Sequence, residues 1–92
     1  MREKDIEKYL RDKVKRLGGI AYKFVSPGNA GVPDRLVLMP GGRIVFVELK
    51  APGKKSTPLQ RLQQKRISDL GFDVRVLDDK AKVDAFIKEM SS

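Results

Sequence analysis

Two apolar runs on either side of Pro40-Gly41-Gly42 limit what this chain can fold into more than any other feature. Asp34–Met39 and Arg43–Lys50 are rich in aliphatic and β-branched residues, and the short connection with its glycine pair predicts an antiparallel hairpin. Both strands are mostly apolar on both faces. They therefore belong in the middle of a sheet that is covered, at least in part, on each side.

The rest of the chain supplies the cover. From Glu3 to Leu17, Ile6, Leu10, Val14 and Leu17 recur at steps of four, four and three, one stripe of an amphipathic helix that Gly18-Gly19 ends. Ile20–Val25 reads as a strand, followed by a loop over Ser26–Pro33 with two prolines and two glycines. A loop of that length between packed strands is more often functional than idle. Ala51–Thr57 is a basic loop. Thr57 then reads as an N-cap with Pro58 at the first helical position, and Leu59, Leu62, Arg66, Ile67 and Leu70 mark a helix closed by Gly71. Phe72–Leu77 alternates as a strand, and a last helix from about Asp79 to Met90 carries Val83, Phe86, Ile87 and Met90 at helical spacing. The expected order is α-β-β-β-α-β-α, a mixed α/β fold with its sheet flanked by helices, in one domain over residues 1–92. The aromatic residues Tyr9, Tyr22, Phe24 and Phe46 sit within apolar patterns and are expected in the core rather than on a base-stacking surface.

Composition narrows the chemistry. There is no cysteine and no histidine, which excludes a disulfide framework, a thiolate nucleophile, a zinc-thiolate site and a Ser-His-Asp triad. Twenty basic against 12 acidic side chains give a formal charge of +8, which favours a polyanionic partner, most often nucleic acid. No run approaches the roughly 18 apolar residues of a membrane span, so no membrane partner is expected and the default address is the cytoplasm. Gly41-Gly42 lacks a following Lys-Ser/Thr, so no P-loop and no nucleotide cofactor are expected.

The hairpin also places charge where its pattern calls for none. Glu48 and Lys50 share one strand face, being two residues apart, and with the turn at Gly41-Gly42 Asp34 falls opposite residues 48 to 50. Two carboxylates and a lysine gathered in this way suit hydrolysis of a phosphodiester with a divalent cation, Mg²⁺ or Mn²⁺. Asp34 and Glu48 would be ligands, with the backbone carbonyl of Leu49 as a further oxygen, and Lys50 would stabilise developing negative charge or orient the attacking water. The plainer reading is a surface ion pair at Glu48 and Lys50 and a turn-ending Asp34.

Gly31-Val32-Pro33-Asp34 followed by Glu48-Leu49-Lys50 resembles the PD-(D/E)xK nuclease motif. Ser26–Arg35, Val47–Gly53 and Thr57–Gln60 together resemble the VRR-NUC family, the virus-type replication-repair nuclease domain, over nearly the whole chain. The resemblance implies a restriction-endonuclease-like core and metal ligands at Asp34 and Glu48, with the family's lysine at Lys50. It also implies a first-helix glutamate at Glu7 as a further metal-site and catalytic residue, with Glu3 as rival, and a catalytic glutamine at Gln60, with Gln63 or Gln64 as rivals. It further implies a DNA endonuclease like the Holliday-junction resolvases, homodimeric and acting on branched DNA, in a bacterial or phage-encoded setting or in a host cell during infection. Lys54, Lys55, Arg35, Lys23 and Ser26 are candidate nucleic-acid contacts beside the site, and Arg61 is a further phosphate contact. The alternatives are a catalytically silent nucleic-acid-binding module and an exonuclease or flap-cutting enzyme.

Overall fold

The computed structural model describes residues 1–92. Its elements follow in the expected order: α1 (Glu3–Arg16), β1 (Ile20–Lys23), β2 (Arg35–Met39), β3 (Arg43–Leu49), α2 (Pro58–Asp69), β4 (Asp73–Leu77) and α3 (Lys80–Met90). The four strands form one sheet in the order β1-β2-β3-β4, with β1-β2 and β2-β3 antiparallel and β3-β4 parallel. Helix α2 makes the crossover that a parallel pair requires.

The hairpin is central, as its two-sided apolarity demands, and its odd-numbered face carries the core. Val37, Met39, Val45, Val47 and Leu49 meet Ile6, Leu10 and Val14 of α1 and Val83, Phe86 and Met90 of α3 in one buried cluster that also takes in Leu77. Helix α1 ends where Gly18 enters the left-handed region (φ 84°) and the Gly19 amide donates back to the Val14 carbonyl. Gly19 has no room for a side chain: a Cβ there would lie 2.6 Å from both the Leu38 carbonyl oxygen and the Met39 sulfur. The chain passes that close to β2 so that β1 can pair with it.

The opposite sheet face is only partly covered. In register across the strands run two apolar rows, Ile20–Leu38–Ile44 and Tyr22–Leu36–Phe46–Val74, and Ile20, Tyr22, Ile44 and Phe72 are exposed. Phe46 sits between Phe24 and Phe72 in edge-to-face contacts with ring centres 5.6 and 5.9 Å apart. The expectation that Tyr22, Phe24 and Phe46 join the core is therefore corrected. Strand alternation turns all three to the face away from α1 and α3, and of the four aromatics only Tyr9 packs against the core. Helix α2 starts and ends as read, but its apolar stripe is left largely uncovered. Leu59, Leu62 and Leu70 are exposed, and its buried residue is Gln63.

Candidate active site

All the charged groups picked out above lie near one end of the sheet. That end gathers the close of β1, the start of β2 and the closes of β3 and β4, because β2 runs against its neighbours. Pro33, fully buried, anchors the entry to β2. The ladder continues one residue beyond β1 and β2, where the Phe24 amide donates to the Asp34 carbonyl (2.8 Å).

Asp34 stands one position outside the Arg35–Val47 pair and so opposite Glu48. Its Oδ2 accepts the Leu49 amide N–H at 2.9 Å, so the side chain serves as one more rung between β2 and β3. Glu48 is 1% exposed, and its Oε1 is buried without any hydrogen-bond partner. Lys50 Nζ lies 4.0 Å from Glu48 Oε2. Burial raises the Glu48 carboxyl first, and hydrogen bonding and charge from Asp34 raise it further. Lys50 offsets these only in part, and the group is pushed up to about 8. Three ionisable groups converge here, as the strand pattern requires.

The remaining candidates fall into place around this trio. Glu3, Glu7, Lys23, Phe24, Asp34 and Arg35 line a cavity of about 290 Å³. Glu7 thus shares a cavity with Asp34, but its carboxylate is engaged by Arg35, with Nη2 2.6 Å from Oε1, and Arg11 lies 4.0 Å away. No three acidic side chains converge as a ready-made metal cluster. Arg35, a candidate nucleic-acid contact by sequence, is 8% exposed and donates to the Ala21 carbonyl as well as to Glu7. Strand alternation carried the signal for its burial, because Arg35 shares the inward face of β2 with Val37 and Met39. Glu7→Gln would leave this guanidinium without its charged partner. Because Glu7 is itself a third exposed, we expect a loss of about 2 kcal/mol, below the roughly 3–5 of a fully buried pair, measured by urea denaturation at neutral pH.

The glutamines divide the structural work. Gln60 completes a capping box: its Oε1 accepts the Thr57 amide while its own amide donates to Thr57 Oγ1. Gln63 donates to the Ala30 carbonyl and pins the 26–33 loop to α2, and Gln64 donates to Ser56 Oγ. Leu59 packs so closely on Gly31 that a Cβ there would meet its Cγ at 2.9 Å. Ser26 turns its hydroxyl to Asn29 Nδ2 inside the same loop. Lys23, Lys54 and Lys55 are exposed at the margins of the site.

No family model matches the sequence. A phage protein described as "Putative nuclease p44", from Acyrthosiphon pisum secondary endosymbiont phage 1, is 59% identical over 78 residues, which is 85% of this chain and 84% of that protein. A solved structure described as a VRR_NUC domain superposes with a TM-score of 0.88 at 34% identity and covers 94% of both chains. This chain belongs to the VRR_NUC family. The fold that the sequence resemblance implied is thus the observed one, and the Asp34, Glu48 and Lys50 constellation is to be read as part of a VRR_NUC domain.

Proposed function

We propose that this VRR_NUC chain is a divalent-metal-dependent DNA endonuclease that hydrolyses phosphodiester bonds in branched DNA such as four-way junctions. The observation that carries the reading is the placement of Asp34, Glu48 and Lys50 at one end of the sheet, with a Glu48 oxygen buried and unbonded. An unpartnered carboxylate oxygen in a protein interior costs free energy, and so do two carboxylates held together. A hard dication relieves both, and an all-oxygen donor set suits Mg²⁺ or Mn²⁺. The residues therefore fit the ion. When bound, the ion supplies charge neutralisation at the phosphate and lowers the pKa of a bound water.

The chain's own groups do the rest. Asp34 and Glu48 would hold the ion from adjacent strands, with Asp34 fixed by the Leu49 amide so that little reorganisation is needed. The Lys50 ammonium, near Glu48 Oε2, faces the negative charge that grows on the phosphate and orients the attacking water. The surplus of positive charge gathers DNA by its backbone, which favours recognition of shape over sequence.

Paired incisions in a symmetric junction need two sites, and a C2 homodimer provides them. What supports such a dimer is the uncovered sheet face, where Ile20 and Tyr22 of β1 and Ile44 of β3 are exposed on either side of Leu36 and Leu38. The double variant Tyr22→Asp/Ile44→Asp is expected to sediment as a monomer at concentrations where the parent is dimeric. A parent that sediments as a monomer at every concentration would remove the dimer from the reading.

The decisive experiment incubates the purified protein with four-way, flap, splayed-arm and linear DNA, in Mg²⁺ and in chelator. Preferential cutting of the junction, abolished by chelator, is the expected result. Cutting unaffected by chelator would overturn the metal assignment, and equal cutting of linear DNA the structural selectivity.

A further inference from the structure

A second charged hollow lies beside the proposed site and on the same side of the sheet. Lys54, Lys55, Arg61 and Lys82 set four cations around it, Asp78 is its single carboxylate, and its volume is about 310 Å³. Val76 also lines it, and in the parallel β3-β4 register Val76 is the direct partner of Glu48. Side chains of paired residues point to the same sheet face, and neighbouring strands lie about 4.8 Å apart. The hollow therefore begins one strand spacing from the buried acid, towards β4.

The hollow is also built rather than fortuitous. Arg61 donates to the Ser56 carbonyl at 2.6 Å and Gln64 donates to the Ser56 hydroxyl at 3.0 Å, so α2 grips the basic loop from two sides. The turn inside that loop is closed by the Lys54 amide on the Ala51 carbonyl. Asp78 holds Lys82 Nζ at 2.6 Å, which fixes the direction of that ammonium and leaves the other three cations without a carboxylate partner. Such a surround, in which Val76 is the one hydrophobic residue, suits a compact, hydrated anion.

We propose that this hollow is a phosphate subsite for the cut strand, holding the backbone phosphate next to the scissile one and so setting the direction in which the strand leaves the acid pair. The inference rests on the nuclease reading above. Lys54 and Lys55 are its loop side, Arg61 its α2 side, and Lys82 the arm from α3, steadied by Asp78 as a positioning residue.

The test measures binding of a four-way junction by the full chain in chelator, so that nothing is cut. Single neutral methylphosphonates are placed at the first phosphate on one side or the other of the cleavage point. In the parent, neutralising the phosphate on one side is expected to weaken binding about tenfold, the scale of a charge-assisted hydrogen bond, and on the other side much less. The Arg61→Gln/Lys82→Gln variant should lose that sensitivity, and its dependence of log affinity on log salt should flatten by roughly 1.5 from the loss of two cations. Lys54→Gln/Lys55→Gln is a second variant, on the loop side of the hollow, with the same expected result. An unchanged salt slope and unchanged methylphosphonate sensitivity in both variants, with a parent that still binds and cuts, would overturn the subsite alone. A parent that binds no DNA would overturn the nuclease reading and the subsite with it.

Discussion

Asp34→Asn is expected to slow cleavage at least a thousandfold while leaving junction binding nearly intact, and Lys50→Ala is expected to do the same. A loss of about three powers of ten corresponds to about 4 kcal/mol of barrier, the scale on which preorganised charge contributes to a transition state. Asparagine keeps the oxygen that accepts the Leu49 amide, so the rung between β2 and β3 survives and the variant tests charge alone. Single-turnover rates on a labelled junction, beside binding in chelator, separate the two effects. Cleavage retained within tenfold by either variant would refute the role given to that residue.

Glu48→Gln should move stability and activity in opposite directions. In the metal-free protein the Glu48 carboxyl is raised from its ordinary 4.5 to about 8 by burial and by Asp34. The folded chain therefore holds a proton that the unfolded chain has released between those values, and ∂ΔG/∂pH is negative across them. The contribution is fully present below about pH 4.5 and is lost as the pH rises through about 8. At 1.36 kcal/mol per pH unit the ceiling is about 5 kcal/mol, and relaxation of the site brings the expected swing to about 3. Glutamine carries no titrating proton, so without metal at pH 9 the variant should be the more stable protein by that margin, while cutting at least a thousandfold more slowly. Denaturant titrations of both proteins at pH 5 and pH 9 read the crossover, and a parent whose stability does not fall between them would contradict the burial of this charge. Metal binding should release about one proton at neutral pH, and apparent affinity for Mg²⁺ should rise with pH up to about 8.

Local signals decided most of the architecture. The i, i+4 stripe Ile6-Leu10-Val14, the Thr57-Pro58 start and the Gly41-Gly42 turn each fix their element through near neighbours, and each stands in the structure as read. The acid pair was legible because a hairpin converts sequence distance into register. What escaped depended on contacts between distant segments. Arg35 reads as one more surface cation until α1 is laid across β2 and offers Glu7. Gln60 reads as a site residue, and its use in capping α2 through the Thr57 amide shows only once the helix start is built. In α2 the leucine spacing marks a helix correctly but leaves its buried residue unmarked, since Gln63 is held by the Ala30 carbonyl of the 26–33 loop while Leu59, which packs on Gly31 of the same loop, stays half exposed. An apolar stripe says that a helix wants cover. It does not say that the same chain provides it.

If Asp34 serves as proposed, its bond from the Leu49 amide ties cutting to folding. The same oxygen-to-nitrogen contact that closes the hairpin also aims the acid, so a chain caught with β2 and β3 unzipped at that end, or slipped by a residue, has no aligned acids to offer. On the proposed reading, the ability to cut would arrive only with complete pairing of the hairpin, so a partly folded copy would spare any strand it met.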